Sequence, residues 1–197
     1  MNLSRLSLAP FVVLALSCGC ASAPPKEAAK VYEQAMLQAE EGKTQEAMQT
    51  LRKGVERFPA ATRLRFELAR FQYEAGEAHH LRERAELRKA ARFMEQGQRR
   101  EALTHRRLGN EHRAKALPFY TAARDNLHVV VEQEEDERRA AWAYYLLMRV
   151  EVFFENWSAA DEAIEQAILL GNPSGALLAQ WREFQAGIKE QLRTYED

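Results

Sequence analysis

An all-α fold is what the sequence predicts, and three observations predict it. Ala, Glu, Arg, Leu and Gln dominate the 197 residues, while the 9 Gly and 6 Pro sit mostly at junctions. Apolar residues recur at three- and four-residue intervals through most of the chain. No run of alternating apolar and polar residues is bounded by turn signals, so no strand is expected.

The first element is a targeting segment. Arg5 supplies a positive start, Phe11 to Leu16 an apolar stretch, and small residues follow at Ser17, Gly19, Ala21 and Ser22. A spanning helix wants roughly 20 predominantly apolar residues, so this run is short, and its layout is that of a secretory signal. Cys18 and Cys20 are the only cysteines. With them the stretch resembles a bacterial lipoprotein signal, in which a small residue precedes the lipidated cysteine. Ser17-Cys18 and Gly19-Cys20 both fit, although Ser17 stands where such signals usually carry Leu. Gly19 favours Cys20, because cleavage and lipid transfer need an unhindered approach. Residues 1–19 are therefore expected as signal peptide and 20–28 as a lipidated tether, "ASAPPK" being tether-like. A single helical domain over 29–197 follows. A lipidated cysteine leaves no disulfide within the mature chain, so packing must supply stability.

The helices repeat. "KVYEQAMLQAEEGKTQEAMQTLRKGVERFP" places Val31, Ala35 and Ala39 on one stripe and Ala47, Leu51 and Gly54 on a second, with Gly42 between them and Pro59 closing. A second unit opens at Thr62 with Leu68, Ala69 and Gly76. Ala116, Tyr120 and Ala123 form a later second-helix stripe, which puts Pro118 in that helix's first turn. A last unit, Ala141 to Pro173, carries Leu147, Ala160, Ile164 and Ala167. Residues 174–195 make a final amphipathic helix, with Leu177, Leu178, Trp181, Phe184, Ile188 and Leu192 on one face. These spacings resemble the tetratricopeptide repeat, whose second helix carries A-x3-F, a small residue and a closing proline. Thr44 and Met148 depart from that pattern, and the middle unit has no continuous match. The resemblance implies a right-handed helical solenoid capped by the last helix.

Residues 79–115 stand apart. They hold eleven Arg or Lys against five Glu, a net of +6, whereas the rest of the chain after Gly19 sums to −8. Helix formers fill the segment, with breaks expected at Gly97 and at Leu108-Gly109-Asn110. It reads as a lengthened hairpin, a basic helical arm whose seam is made by Leu81, Leu87, Phe93, Met94, Leu103 and Leu108. Arg99, Arg100, Arg106 and Arg107 are its candidate contacts for anionic lipid, a cell-wall polymer or an acidic protein surface. The competing reading is a solvated face laced by pairs such as Glu86–Lys89 and Arg82–Glu86. Nucleic acid is a poor partner, since Phe93 alone among Phe, Tyr and Trp lies in the arm to stack bases.

No catalytic constellation is present. His79, His80, His105, His112 and His128 lack H-E-x-x-H spacing, and "EQEEDE" lacks the glycine of a calcium loop. The acidic run reads instead as the first turn of a helix starting near Asp136. No glycine-rich phosphate loop or G-x-S-x-G occurs, so no enzyme, metal or cofactor is expected.

Binding is what remains. In tetratricopeptide proteins the first helix of each unit lines a concave groove. Carried over residue by residue, this implies Tyr32 and Met36 in the first unit and Arg63, Phe66, Arg70 and Tyr73 in the second. Trp142, Tyr145, Arg149 and Phe153 follow in the last, with some of these rings expected as core. The resemblance implies a lipid-anchored scaffold on the periplasmic face of the outer membrane that binds an envelope protein or peptide segment. Tetratricopeptide lipoproteins of that kind include pilotins of type IV pilus secretins and accessory lipoproteins of outer-membrane barrel assembly. The alternative is a structural envelope protein whose arm binds anionic lipid or polymer. An enzyme activator stands behind both.

Overall fold

The computed structural model describes residues 26–196. The expected signal segment, Cys18, Cys20 and the tether before Lys26 lie outside the described residues. Seven helices follow: α1 (Lys26–Glu40), α2 (Thr44–Arg57), α3 (Thr62–Glu95), α4 (Arg99–Gln133), α5 (Glu137–Phe153), α6 (Trp157–Gly171) and α7 (Gly175–Glu196). No strand occurs among the described residues. Each helix packs on its neighbour in sequence, while α1 also touches α3 and α3 touches α5. That pattern is compatible with a helical solenoid in which α1, α3 and α5 form one layer and α2, α4 and α6 pack against it.

Two apolar clusters hold it together. Ala35, Ala47, Leu51, Leu64 and Phe71 join α1, α2 and the start of α3. The larger cluster runs from α3 to α7 through Tyr120, Leu127, Met148, Ile164 and Trp181. Full burial of a side chain such as Leu51 or Ile164 stabilises by about 1.5–3 kcal/mol. Small residues sit where helices approach most closely, since Ala35, Ala47, Ala69, Ala123 and Ala160 are all inaccessible to solvent.

Local chemistry sets the boundaries. Gly97 turns the chain between α3 and α4 at φ 74°, a backbone state that β-carbon-bearing residues resist. Asp136 caps α5, its Oδ1 accepting from the Arg139 backbone N–H at 2.8 Å. Of the acidic run, Asp136 and Glu137 start α5 as its charge pattern predicts, while Glu132 lies in the last turn of α4 and Glu134 and Glu135 link the two helices.

Several expectations are corrected. Residues 26–28 are the first turn of α1 and not tether, because Ala28 continues the buried stripe of Ala35 seven residues on. Pro118 lies deep inside α4 and not in a first turn. It is exposed, so water can satisfy the carbonyl it leaves without an N–H partner. Leu108-Gly109-Asn110 does not break α4. Gly109 is buried against Leu87, and a β-carbon there would stand 3.0 Å from Leu87 Cδ2. That close approach also rewrites the arm's seam. Ala90, Ala102 and Gly109 fill it with Glu83, Leu87 lies against Gly109 at its edge, and Leu81, Met94 and Leu103 are left on the outside.

Candidate functional site

One carboxylate joins α3, α4 and α5. Glu77 Oε2 accepts from the Tyr120 hydroxyl at 2.7 Å and from the Tyr73 hydroxyl at 3.2 Å. Its Oε1 accepts from Arg149 Nη2 at 3.1 Å, and Arg149 Nη1 reaches the Tyr145 oxygen at 3.4 Å. Three helices therefore meet at one half-buried ion pair. Gly76 makes room for it: a β-carbon there would stand 3.2 Å from the Tyr120 ring. Burial, with the neighbouring carboxylate, pushes both phenols well above the ordinary tyrosine range, so they remain donors. The Arg149 guanidinium also lies 5.4 Å from the centre of the Phe184 ring.

The expected groove residues divide. Tyr73 is buried in the larger core and offers no groove surface, because its ring packs edge-on to Tyr120 at 5.8 Å. Phe66 is half-buried against the same core. Tyr145 stacks on Trp181 of α7 at 5.1 Å, and Trp142 meets both rings edge-on. The last helix thus covers much of what the final unit would present. Trp142 keeps an exposed edge. Arg149 is committed to Glu77, and Arg70 to Glu67 and Glu74. Neither arginine stands free to hold a partner's carboxylate.

Two clefts remain open on the α1–α3–α5 layer. One of ≈ 810 Å³ lies between α1 and α3, lined by Tyr32, Glu33, Met36, Leu37, Glu40 and Arg70 among others. Leu37 is 57% exposed in it, and the Arg63 guanidinium covers the Tyr32 ring at 3.7 Å. The other, of ≈ 430 Å³, lies between α5 and α7 with Met148, Val152, Phe184 and Ile188 around Arg149 and Trp157. The Trp157 indole N–H is buried without a partner.

Sequence reasoning missed Glu77 and Leu37. Glu77 carried a signal: it stands four residues after Tyr73 on one helix, and a buried Tyr120 needs a partner for its hydroxyl. Leu37 carried none, because its exposure depends on how α1 meets α3.

In the arm, Arg99, Arg100, Arg106 and Arg107 are exposed. Of the four, Arg107 alone has an acidic partner among the described residues, Glu111 at 3.7 Å. The Glu86–Lys89 pair forms at 2.6 Å, while Glu86 also binds His105 Nδ1 at 2.6 Å. Lys89 and then His105 hold the Glu86 carboxyl below its usual range. His105 and His112 are half-buried seam residues and not an exposed pair: His105 stacks on Phe93 at 5.2 Å, and His112 faces His79 at 6.0 Å. Among the described residues no three His, Cys, Asp or Glu side chains are placed to share a metal ion. No family model matches the chain, and no curated protein matches it.

Proposed function

We propose that the chain is a lipid-anchored scaffold of the cell envelope that recruits a protein partner through the α1–α3–α5 layer, without catalysis of its own. The observation that carries this reading is the open α1–α3 cleft, where Leu37 is exposed beside half-buried Met36, with Tyr32 under the Arg63 guanidinium. Aromatic residues and an apolar anchor beside a fixed arginine are the usual centre of a recognition surface.

The tetratricopeptide resemblance belongs with this proposal. The pairs α1–α2, α3–α4 and α5–α6 stand for successive units, and α7 for the cap. In a solenoid of that kind the first helices line the concave side. A cysteine lipid before Lys26, at Cys20 or Cys18, would hold the chain at a membrane. The absence of aspartate after Cys20 ("AS") favours the outer membrane's periplasmic face, where assembly of pilus, secretion or barrel machinery is the class of work implied.

The cleft also suggests what the partner carries. Glu33 and Glu40 line it, and Arg70 is already neutralised by Glu67 and Glu74. A segment with an apolar side chain flanked by Lys or Arg complements that surface. The experiment is capture from envelope extracts on the immobilised chain from Lys26 onward. Leu37→Glu should remove the captured species while helical circular dichroism stays unchanged. Equal capture by both chains refutes the cleft as the binding surface.

A further inference from the structure

The outer face of α4 carries a pattern that neither folding nor the proposed groove requires. At about 100° per residue, Arg99, Arg100, Leu103, Arg106 and Arg107 fall within an arc of about 120°, and Leu117 falls on the same arc. The opposite side of the helix, with Ala102, His105 and Gly109, is the side packed on α3. Leu103 is 56% and Leu117 47% exposed; Leu103 stands in solvent among the guanidinium groups, and Leu117 extends the face beyond them. A helix face built only to be solvated would place acids three or four residues before or after its arginines. Within α4 those positions hold Ala102, Leu103, Thr104, Gly109, Asn110 and a single acid, Glu111. The stripe runs about 27 Å along the side of the hairpin.

We propose that this stripe docks on an anionic phospholipid bilayer, the hairpin lying on its side. The guanidinium groups of Arg99, Arg100, Arg106 and Arg107 bind lipid phosphates, for which their planar fork is suited. Leu103 enters the interface between them, and Leu117 enters it about 15 Å beyond Arg107 along the helix. Charge complementarity selects this surface and its orientation: residues 79–115 sum to +6, while the remainder after Gly19 sums to −8 and is repelled. Shape selects a bilayer over an acidic protein. The clefts at α1–α3, at α5–α7 and, of ≈ 450 Å³, between α2 and α4 are lined by none of the four arginines or two leucines, and a deformable interface covers such an ungrooved helix face more readily than a rigid partner.

The test is co-sedimentation of the chain from Lys26 onward, which carries all seven helices and both core clusters, with sonicated vesicles. Vesicles of phosphatidylcholine alone are compared with vesicles in which a third of the lipid is phosphatidylglycerol. Binding is expected only to the second, falling as salt is raised. Combined R99E, R100E, R106E and R107E should weaken it about tenfold or more. L103S with L117S should weaken it several-fold with every charge retained. Helical circular dichroism checks the fold, and Arg→Gln at the same four positions replaces the reversed set if that set unfolds. Equal binding to both vesicle types, or undiminished binding by the arginine variants, overturns the proposal. So does binding to soluble polyglutamate as tight as to vesicles with no effect of the leucine changes, which would assign the stripe to an acidic protein.

Discussion

Arg149 on α5 and Glu77 on α3, 72 residues apart, are joined by a hydrogen-bonded ion pair of 3.1 Å that also gathers the hydroxyl groups of Tyr73 and Tyr120. This pair links two layers' worth of packing, since Tyr120 belongs to α4. Both charged side chains are more than two-thirds covered. Glu77→Ala strands a guanidinium and two phenol hydroxyls, and should destabilise by about 1–3 kcal/mol. Thermal unfolding of Glu77→Ala, Arg149→Met and the double variant checks this. Partial recovery in the double variant is expected, because the stranded charge is then gone.

Close helix approach gives a second expectation. Ala47 and Ala160 are wholly buried at the contacts of α2 and α6. Replacing either by Leu should cost about 1–3 kcal/mol through overpacking, a Tm drop of several degrees measured by calorimetry. Leu169 on α6 is exposed, and Leu169→Ala should leave the Tm within about a degree.

The arm's seam should respond to pH. Burial, then Arg82, His112 and Lys115, lowers the His79 pKa below its ordinary 6.5, and its ring stacks on Phe119. The Nδ1 atoms of His79 and His112 are both buried without a hydrogen-bond partner. A folded pKa below the unfolded one means that stability from neutral His79 is complete above pH 6.5 and is lost as pH falls through the folded value. Tm should therefore decline over that window, and His79→Phe should flatten the decline. An unaltered pH profile in His79→Phe contradicts the assignment.

How much of this was legible in the sequence follows from what each feature depends on. Buried stripes such as Ala47–Leu51–Gly54 and Ala160–Ile164–Ala167 obey helical periodicity, so they can be read directly and they fix the elements. The Asp136 cap is equally local. Pro118 misled because a proline is a local stop signal, while the packing of Ala116, Tyr120 and Ala123 on α3 carries the helix through it. The arm's leucines misled for a related reason. Hydrophobicity alone assigned them all to the seam, but Gly109, Ala102 and Ala90 bring α3 and α4 so close that Leu81 and Leu103 are left outside and Leu87 enters only at the edge, against Gly109. Tyr73 and Tyr145 share helical faces with exposed residues, and only α4 and α7 reveal that their rings are covered.

The anchor is tested in cells. On the proposed lipoprotein reading, Cys20→Ala should move the protein from membrane to soluble fractions or leave it unprocessed, because a lipid on that cysteine would supply the membrane affinity. If Cys18→Ala does so and Cys20→Ala does not, the lipid sits on Cys18. If neither does, the lipoprotein reading fails.

Site-specific photo-crosslinking from Leu37 tests the partner-binding claim most directly. A benzophenone side chain placed there faces the open α1–α3 cleft, whereas the same group at Leu169 sits on α6, outside the α1–α3–α5 layer. In intact cells one discrete covalent adduct is expected from position 37, none from position 169, and loss of the adduct when Tyr32→Ala is added. Adducts of equal yield from both positions, or none from position 37, would contradict the partner-binding claim.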